Sequence, residues 1–569
     1  MREEKFLNMP DIEKKFRKPY PEYRSAPFWS WNDDLKDKYL YHQLDEMKKG
    51  GMAGGFMHSR TGLITPYLSK NWMNRIRNTV SHAKDIGIPI YLYDEDRWPS
   101  GFAGGIVTKN RRYAMKAIRI TMSQNNKCRF EPITIPSHEW FNNCGYLDTL
   151  SHEAVREFIK STYTAYKRAV GDEFNKTIPS IFTDEPNCLT VWQLQDKGSL
   201  YLPWTDGLDK IFERRYGYDL RKNFICFVKN KGDYKKVRYQ FIKLITELFV
   251  ENFGKQIHTW CEENNIALTG HYLEEDTLAS QIRVLGAAMP FYEYMHIPGV
   301  DHLGRQVQGV NHLGIRIPSA YLTIKQCSSV AHQLGKERVL SELFGCSGYN
   351  MTFTDRKWIG NWNTVLGINL FCPHLWLYSM AGSRKRDHPP AISYQQPYWK
   401  YNKVIEDYFA RINFITNQGK FYSNILVLHP VESGWCLYNP ADVKPVDRLN
   451  NKFVSILKTL SGKHFDYDLG DESLISRYGK VIKRTGAMFR VGRMDYPLVI
   501  VPPVISLRKT TIELLNEFLG RGGKVIGFKP FPERVDGEKD ENGLIKEIYP
   551  WIYLLPESGS HLISSIETL

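Results

Sequence analysis

The stretch that decides the fold reads Ser180-Ile-Phe-Thr-Asp-Glu-Pro-Asn187. Apolar and β-favouring residues run directly into two adjacent carboxylates. Pro186 then ends the strand, because proline has no N–H to donate to a neighbouring strand. The sequence therefore predicts a strand with Asp184 and Glu185 at its carboxyl end.

Three other stretches have the same form, a short apolar strand followed by acids. They are Ile88–Tyr93 before Asp94-Glu95-Asp96, Ile266–His271 before Glu274-Glu275-Asp276, and Arg338–Ser341 before Glu342. The carboxyl ends of parallel strands lie at one edge of a sheet, so we expect these acids to meet.

Helical and strand periodicities alternate over the first three-quarters of the chain. The predicted strands are 27–31, 54–58, 88–93, 180–184, 267–271, one within 289–302, 338–342 and 367–372. This alternation predicts a (β/α)8 TIM barrel, whose chemistry lies at the strand carboxyl ends. The alternative is an open doubly wound sheet, but no glycine-rich phosphate loop follows an early strand.

Breaks in this rhythm predict the domain organisation. Residues 1–24 form an N-terminal arm, and 25–420 form the barrel, with insertions near 108–150 and 188–235. Residues 421–569 form a flavodoxin-like α/β domain that does not close convincingly at its end. This domain is a candidate surface for a homo-oligomer.

Composition narrows the class of protein. Aromatic residues make up 13% of the 569, which suits either core packing or a sugar-binding cleft. The formal charge of +14 comes from scattered Lys and Arg without a nucleic-acid-binding motif, so we expect no nucleic acid partner. Nine dispersed cysteines and the lack of an export signal or membrane-spanning apolar run predict a cytoplasmic protein.

Paired carboxylates at the top of a barrel are typical of glycoside hydrolysis, in which one acid protonates the leaving oxygen and the other activates water or attacks. Glu185 and Glu342 are the natural pair. Asp184 beside Glu185 favours Glu185 as the acid, since a neighbouring like charge raises a carboxyl pKa. If the strand continues that far, alternation predicts that only one of Asp184 and Glu185 faces the cleft, and we expect Glu185.

Other polar and aromatic residues at these strand ends are candidates for substrate binding. They are His58, Asp94, Asp96, Arg97, Trp98, Asp184, His271, Glu274, Glu275 and His302. The acidic runs could hold a hard cation such as Ca²⁺, bind sugar hydroxyls or cap helices, and the residues alone assign no metal ligand. The histidines could donate to hydroxyls or be buried rings.

Three motifs carry a family resemblance: Pro27-Phe-Trp-Ser-Trp-Asn32, Gly54-Gly-Phe-Met-His-Ser-Arg60 and Leu92-Tyr-Asp-Glu-Asp-Arg-Trp-Pro-Ser-Gly-Phe-Ala-Gly-Gly105. The stretches Phe182–Pro186, Gly270–Glu275 and Ser341–Gly345 continue it in order. Together they resemble glycoside hydrolase family 106, the α-L-rhamnosidases.

That resemblance implies a barrel enzyme that releases terminal L-rhamnose with inversion, aided by bound calcium. By position, it gives Glu185 the role of acid and Glu342 that of base, and a further functional carboxylate falls at Glu274 or Glu275. Two alternatives stay open: a different exo-glycosidase of the β-galactosidase type, and a carbohydrate-binding barrel without catalysis.

Overall fold

The structure of the chain is a computed structural model. It describes residues 9–122, 127–191, 194, 198–304, 320–548, 552–555 and 561–568.

The described residues of the first two-thirds of the chain contain short strands that alternate with helices. The strands are β1 (Phe28–Trp31), β2 (Phe56–Ser59), β3 (Tyr91–Asp96), β4 (Lys116–Met122), β5 (Cys128–Thr134), β6 (Ser180–Thr183), β7 (Ser199–Trp204), β8 (Ala267–Gly270), β9 (Ile297–His302), β10 (Leu340–Leu343), β11 (Leu370–Pro373) and β12 (Trp376–Leu377). Within the described ranges, nine of them pair in parallel in the order β11-β10-β9-β8-β6-β3-β2-β1-β12.

The predicted barrel is confirmed, with its eighth strand split in two. β11 pairs with β10, whereas β12 follows shortly after it and pairs with β1. The Ala26 N–H also donates to the Phe371 carbonyl at 2.9 Å, below the point where β12 takes over. The two halves of one strand thus bring the sheet back to its first strand, and every strand end falls on a common rim.

Helices surround this sheet. They are α1 (Met9–Arg17), α2 (Asp37–Lys49), α3 (Lys70–Ile86), α4 (His152–Ser161), α5 (Tyr163–Val170), α6 (Leu208–Tyr216), α7 (Tyr234–Phe249), α8 (Gln256–Glu263), α9 (Leu278–Val284), α10 (Met289–Tyr292), α11 (Ala320–Leu334), α12 (Phe353–Val365) and α13 (Asn402–Thr416). Ser69 caps α3 by accepting the Trp72 N–H, and Gly87 ends it at φ 69°. Among the residues described, no helix combines the length and hydropathy that a membrane span needs.

The two predicted insertions build one small sheet. β4 and β5 come from the first insertion and β7 from the second, and they pair antiparallel in the order β5-β4-β7. The sequence indicated β structure in the first insertion but not its pairing with the second.

The last part of the chain adds further strands: β13 (Ile425–Leu428), β14 (Asp468–Gly470), β15 (Gly479–Lys483), β16 (Ala487–Val491), β17 (Met494–Tyr496), β18 (Leu498–Val501), β19 (Ser506–Leu507), β20 (Lys524–Phe528), β21 (Arg534–Val535), β22 (Glu538–Lys539) and β23 (Tyr553–Leu555). Its helices are α14 (Val431–Leu437), α15 (Lys444–Gly462), α16 (Glu472–Tyr478), α17 (Lys509–Gly520), α18 (Leu544–Ile548) and α19 (Leu562–Thr568). The parallel sheet runs β14-β13-β18-β20-β23, which is the flavodoxin-like order.

Buried polar contacts join the barrel to this α/β domain. The Tyr239 hydroxyl on α7 donates to Glu432 on α14, and the Trp435 indole donates to the Gly286 carbonyl at 2.7 Å. Arg534 also pairs with Asp233 at 2.7 Å. The domain is therefore docked against the side of the barrel that carries α7.

Candidate active site

Four neighbouring strands carry acids and a histidine to one place at the carboxyl edge of the barrel. β6 ends before Asp184 and Glu185, and β8 ends before His271. On β9 and β10, Asp301 and Glu342 are register partners. Because side chains in register on adjacent parallel strands point to the same face, Asp301 and Glu342 project together.

His271 lies at the centre of this group. Its Nε2 is 3.0 Å from Asp184 Oδ1 and 3.7 Å from Glu342 Oε2, and the ring is fully buried. Burial by itself lowers a histidine pKa, but contact with Asp184 and the charges of Glu342 and Asp301 outweigh it. They hold the pKa of His271 well above 6.5, so the ring is an imidazolium at neutral pH.

Glu185 reaches the same imidazole. One oxygen of Glu185, one of Asp301 and a ring nitrogen of His271 lie within 4.8 Å of one another. Asp184 and Glu185 both lie close to the His271 ring, and Asp184 is the more buried of the two. The strand has ended at Thr183 and Glu185 has φ 48°, so strand alternation does not apply to this pair.

Burial and crowding raise the pKa values of these carboxyls. Burial, then the charges of Asp184 and Asp301, raise the pKa of Glu185 well above its usual value. Burial, then Asp301, do the same for Glu342, and burial raises the pKa of Asp301 to about 7. A carboxyl that holds its proton near neutral pH can serve as a general acid.

Asp184 is held in position by neighbours from other strand ends. The Tyr93 hydroxyl donates to its Oδ2 at 2.5 Å, and its backbone N–H donates to Ser100 Oγ at 2.8 Å. Asp184 therefore orients His271 as part of a hydrogen-bonded frame.

Asp94, by contrast, is not available to substrate, which corrects the prediction for this residue. It is fully buried, and its oxygens accept the Ser100 hydroxyl at 2.5 Å and the Tyr163 hydroxyl at 2.6 Å. The adjacent Glu95 accepts the backbone N–H groups of Asp96, Gly101, Ala103 and Gly104 at 2.7–2.9 Å. Both acids shape the loop that follows β3.

Glu274 and Glu275 have partners of their own, although the charge of Glu274 contributes to the raised pKa of Glu185 and the charges of His271 and Asp301 act on Glu275. Glu274 forms an ion pair with Arg283. Glu275 accepts the Tyr272 N–H at 2.8 Å and the Tyr292 hydroxyl, and burial raises its pKa to about 8. Asp301 is a further carboxylate at the cluster, and the functional role that the resemblance gives to Glu274 or Glu275 stays a prediction.

His302 lies on the other face of β9 from Asp301, as strand alternation requires. Its Nδ1 is 2.8 Å from the Asn363 amide on α12, and its ring is 5.1 Å from that of Trp362. Burial lowers its pKa to about 4. His302 packs between barrel and helix, so the prediction that it binds substrate is wrong.

A second group of predicted residues lies around Arg60, beside the carboxylate cluster. His58 Nε2 accepts from Arg60 at 2.9 Å, and the guanidinium of Arg60 lies 4.2 Å from the centre of the half-buried Trp98 ring. Arg97 contacts the Asn142 side chain, and Asp96 accepts from the Ser59 hydroxyl at 2.5 Å. These residues form one wall of the same edge.

Sequence reasoning missed Asp301, Tyr93 and His374. Asp301 has the same strand-then-acid signal as the others in Ile297-Pro-Gly-Val-Asp301, and could have been found once that strand was placed. His374 Nε2 lies 3.9 Å from Glu342 Oε1, next to the split in the eighth strand, which no sequence pattern indicated.

The described residues offer three groups of potential metal ligands. Two share His271: Asp184 with Glu342, and Glu185 with Asp301. The third, His258, Glu262 and His296, lies at the amino end of the barrel.

This third group does not suit a metal. His296 Nδ1 accepts the Leu268 N–H at 3.0 Å, so in the neutral ring Nε2, the atom that faces Glu262, carries the proton.

The family model described as alpha-L-rhamnosidase, glycoside hydrolase family 106, matches residues 142–555. The chain belongs to this family. Its members are glycoside hydrolases, and the match covers the carboxylate cluster and most of the α/β domain.

Solved structures of glycosidases share the fold. The rhamnosidase from Novosphingobium sp. PP1Y aligns with a TM-score of 0.69 at 11% identity, over 98% of this chain and 75% of that one. The β-galactosidase from Bacillus circulans sp. alkalophilus aligns with a TM-score of 0.58 at 10% identity, over 92% and 73%.

A curated relative, named putative β-glucuronidase, comes from Formosa agariphila. It is 26% identical over 349 residues, 58% of this chain. The chain spans about a quarter of that relative's length (26%).

Proposed function

We propose that the chain is an exo-acting glycoside hydrolase that removes terminal α-L-rhamnose from oligosaccharides or glycosides. The observation that carries the proposal is the meeting of Glu185 and Glu342 at the imidazole of His271, on the barrel edge where this fold keeps its chemistry. Family membership supplies the sugar.

We assign Glu185 as the general acid. Burial and the adjacent charges keep its proton at neutral pH, and that proton would pass to the glycosidic oxygen as the bond to the anomeric carbon breaks. Glu342 is the base. Burial and Asp301 raise the pKa of Glu342, and the charge of the His271 imidazolium at 3.7 Å opposes that rise; the ionised form would take a proton from the attacking water.

Water attack on the face opposite the leaving group inverts the anomeric centre. The expected first product is therefore the anomer of opposite configuration to the substrate. Proton NMR recorded during turnover identifies it, and retention would instead make one carboxylate a nucleophile.

Calcium is the cofactor that we propose. In the runs 94–96 and 274–276, most carboxylate oxygens accept hydrogen bonds or form ion pairs with other groups of the fold, whereas Asp301 Oδ1 is buried without a hydrogen-bond partner among the described residues. An oxygen donor of this kind suits a hard divalent cation, and Asp301 would be a ligand for it. When bound, such an ion neutralises carboxylates and orients sugar hydroxyls.

A panel of aryl glycosides tests the proposal, with α-L-rhamnoside, β-galactoside and β-glucuronide assayed alone, with EDTA, and with EDTA followed by Ca²⁺. We expect hydrolysis of the α-L-rhamnoside, lost with EDTA and restored by Ca²⁺. Activity confined to another sugar would refute the specificity, and no hydrolysis across the panel would favour a carbohydrate-binding barrel.

A β-galactosidase-type exo-glycosidase is the second candidate, since such an enzyme shares the barrel and the fold around it at a TM-score of 0.58. A uronide is less well supported. The cleft group is rich in carboxylates, and Arg60, the cation beside it, is already paired with Asp387. The panel separates all three sugars.

A further inference from the structure

Arg60 and Asp387 form a buried ion pair between β2 and the loop after the eighth strand. Arg60 Nε and Nη2 donate to the two oxygens of Asp387 at 2.8 and 2.9 Å. The Arg60 side chain is 3% exposed and that of Asp387 is 14%. Two parallel hydrogen bonds in this geometry fix the plane of the guanidinium as well as its position.

This plane lies against Trp98. The guanidinium carbon is 4.2 Å from the centre of the indole, within cation–π distance. The indole also meets the ring of Trp140 edge to face at 4.5 Å. Trp98 is half-buried at the barrel's carboxyl edge, so Arg60 supports from below a ring that can stack on the apolar face of a sugar or an aryl leaving group.

The same guanidinium fixes a proton position beside the base. Arg60 Nη2 donates to His374 Nε2 at 3.2 Å, and arginine has no acceptor atom. Because Nε2 accepts a hydrogen bond from Arg60, this nitrogen carries no proton. His374 Nε2, at 3.9 Å, therefore cannot donate to Glu342 Oε1 and weaken it as a base.

We propose that Asp387 is a positioning residue that acts through Arg60. It fixes the indole of Trp98 and keeps the proton-free Nε2 of His374 towards Glu342. Without Asp387 the guanidinium keeps its charge but loses the partner that sets its plane. This role rests on the proposed hydrolase function. It makes both the stacking of substrate on Trp98 and the strength of Glu342 as a base depend on the loop that carries Asp387.

The test is steady-state kinetics of Asp387→Asn on the aryl glycoside that the wild type hydrolyses best. Because a misplaced platform weakens binding and a misplaced His374 weakens the base, we expect KM to rise and kcat to fall, with kcat/KM lower by about 10- to 100-fold. The matched control is Asp407→Asn. Asp407 pairs with Arg24 at 2.8 Å at the amino end of the barrel, and both kinetic constants should stay unchanged there.

A double-mutant cycle makes the test specific. Asp387→Asn should raise KM much less in a Trp98→Ala background, because Asp387 acts on the indole through Arg60, whereas the loss in kcat through His374 should remain. Additive effects on KM, or an Asp387→Asn variant that differs from wild type only in Tm as Asp407→Asn does, would overturn the positioning role. If the wild type hydrolyses no glycoside of the panel, the proposed function is refuted, and the role proposed for Asp387 is refuted with it.

Discussion

Buried acids follow strands of both parallel sheets in the molecule. The two sheets differ in how completely neighbouring groups hydrogen-bond to these acids. In the α/β domain, Glu432 accepts from Arg508 at 2.6 Å and from the Tyr239 hydroxyl. Glu472 accepts the Arg508 N–H at 2.6 Å, and Asp471 caps α16 by accepting the N–H groups of Ser473 and Leu474. These three acids are each satisfied by the fold.

In the barrel, four carboxylates share one imidazolium, and a buried oxygen of Asp301 has no partner within the described ranges. A buried oxygen without a donor costs folding free energy, about 1–3 kcal/mol by analogy with other buried polar groups. Acids at strand ends thus do not by themselves mark a catalytic site. The proposed catalytic site lies where buried acids crowd together and one carboxylate oxygen lacks a hydrogen-bond donor among the described residues.

Among the variants that test this comparison, removal of the proposed general acid, Glu185, should cause the largest loss of activity. We expect Glu185→Gln to lower kcat by about 10²- to 10⁴-fold on glycosides with poor leaving groups, because the amide cannot donate the proton. The loss should be smaller on a nitrophenyl glycoside, whose leaving group needs little protonation. Equal losses on both substrates would refute the role of Glu185 as acid.

Substitution of Asp301, whose buried Oδ1 has no hydrogen-bond partner among the described residues, should have the next-largest effect. Asp301→Asn keeps the shape but removes a charge, and we expect kcat/KM to fall by about 10- to 100-fold. Calorimetry should show weaker Ca²⁺ binding by the purified variant, a readout independent of turnover. Wild-type affinity for Ca²⁺ would exclude Asp301 as a ligand.

Glu275 is the matched acid that the fold has already satisfied. Its pKa of about 8 means that it is mostly protonated at neutral pH, so the neutral amide of Glu275→Gln resembles it closely. We expect turnover near that of the wild type. A loss as large as that of Asp301→Asn would restore Glu275 to the active site.

The smallest effect concerns stability in the α/β domain. Burial, then Glu432, raise the pKa of Glu472 to about 8, so the folded state holds a proton that an unfolded glutamate releases near its model value of 4.5. The stability from this group is complete below pH 4.5 and is lost as pH rises towards 8. Glu472→Gln cannot ionise, so its Tm relative to wild type should increase from pH 5 to pH 8. A constant difference would contradict the raised pKa.

The sequence predicted the barrel, the flavodoxin-like domain and the strand ends that carry Glu185 and Glu342, because strand–helix periodicity and strand-ending acids are local patterns. It could not separate satisfied acids from free ones. The partners of Asp94 include Tyr163, and that of Glu274 is Arg283, and only the folded chain brings such pairs together.

The sequence also could not predict the backbone geometry after a strand ends. Whether Asp184 and Glu185 share a face depends on β6 ending at Thr183 and on the positive φ of Glu185. His374 reaches Glu342 only because the eighth strand is split between β11 and β12. These features depend on the pairing of strands that are far apart in the sequence, which a local sequence pattern cannot show.

The most direct test of the barrel cluster as the hydrolytic site compares the turnover of Glu342→Gln with that of Glu472→Gln on the aryl glycoside that the wild type hydrolyses best. Both replace a buried glutamate at the end of a parallel sheet with its amide, one in each domain. We expect Glu342→Gln to lose about 10²- to 10⁴-fold in kcat, because an amide cannot take a proton from water, and Glu472→Gln to retain wild-type turnover. Near wild-type turnover by Glu342→Gln would contradict the assignment of the barrel cluster as the hydrolytic site.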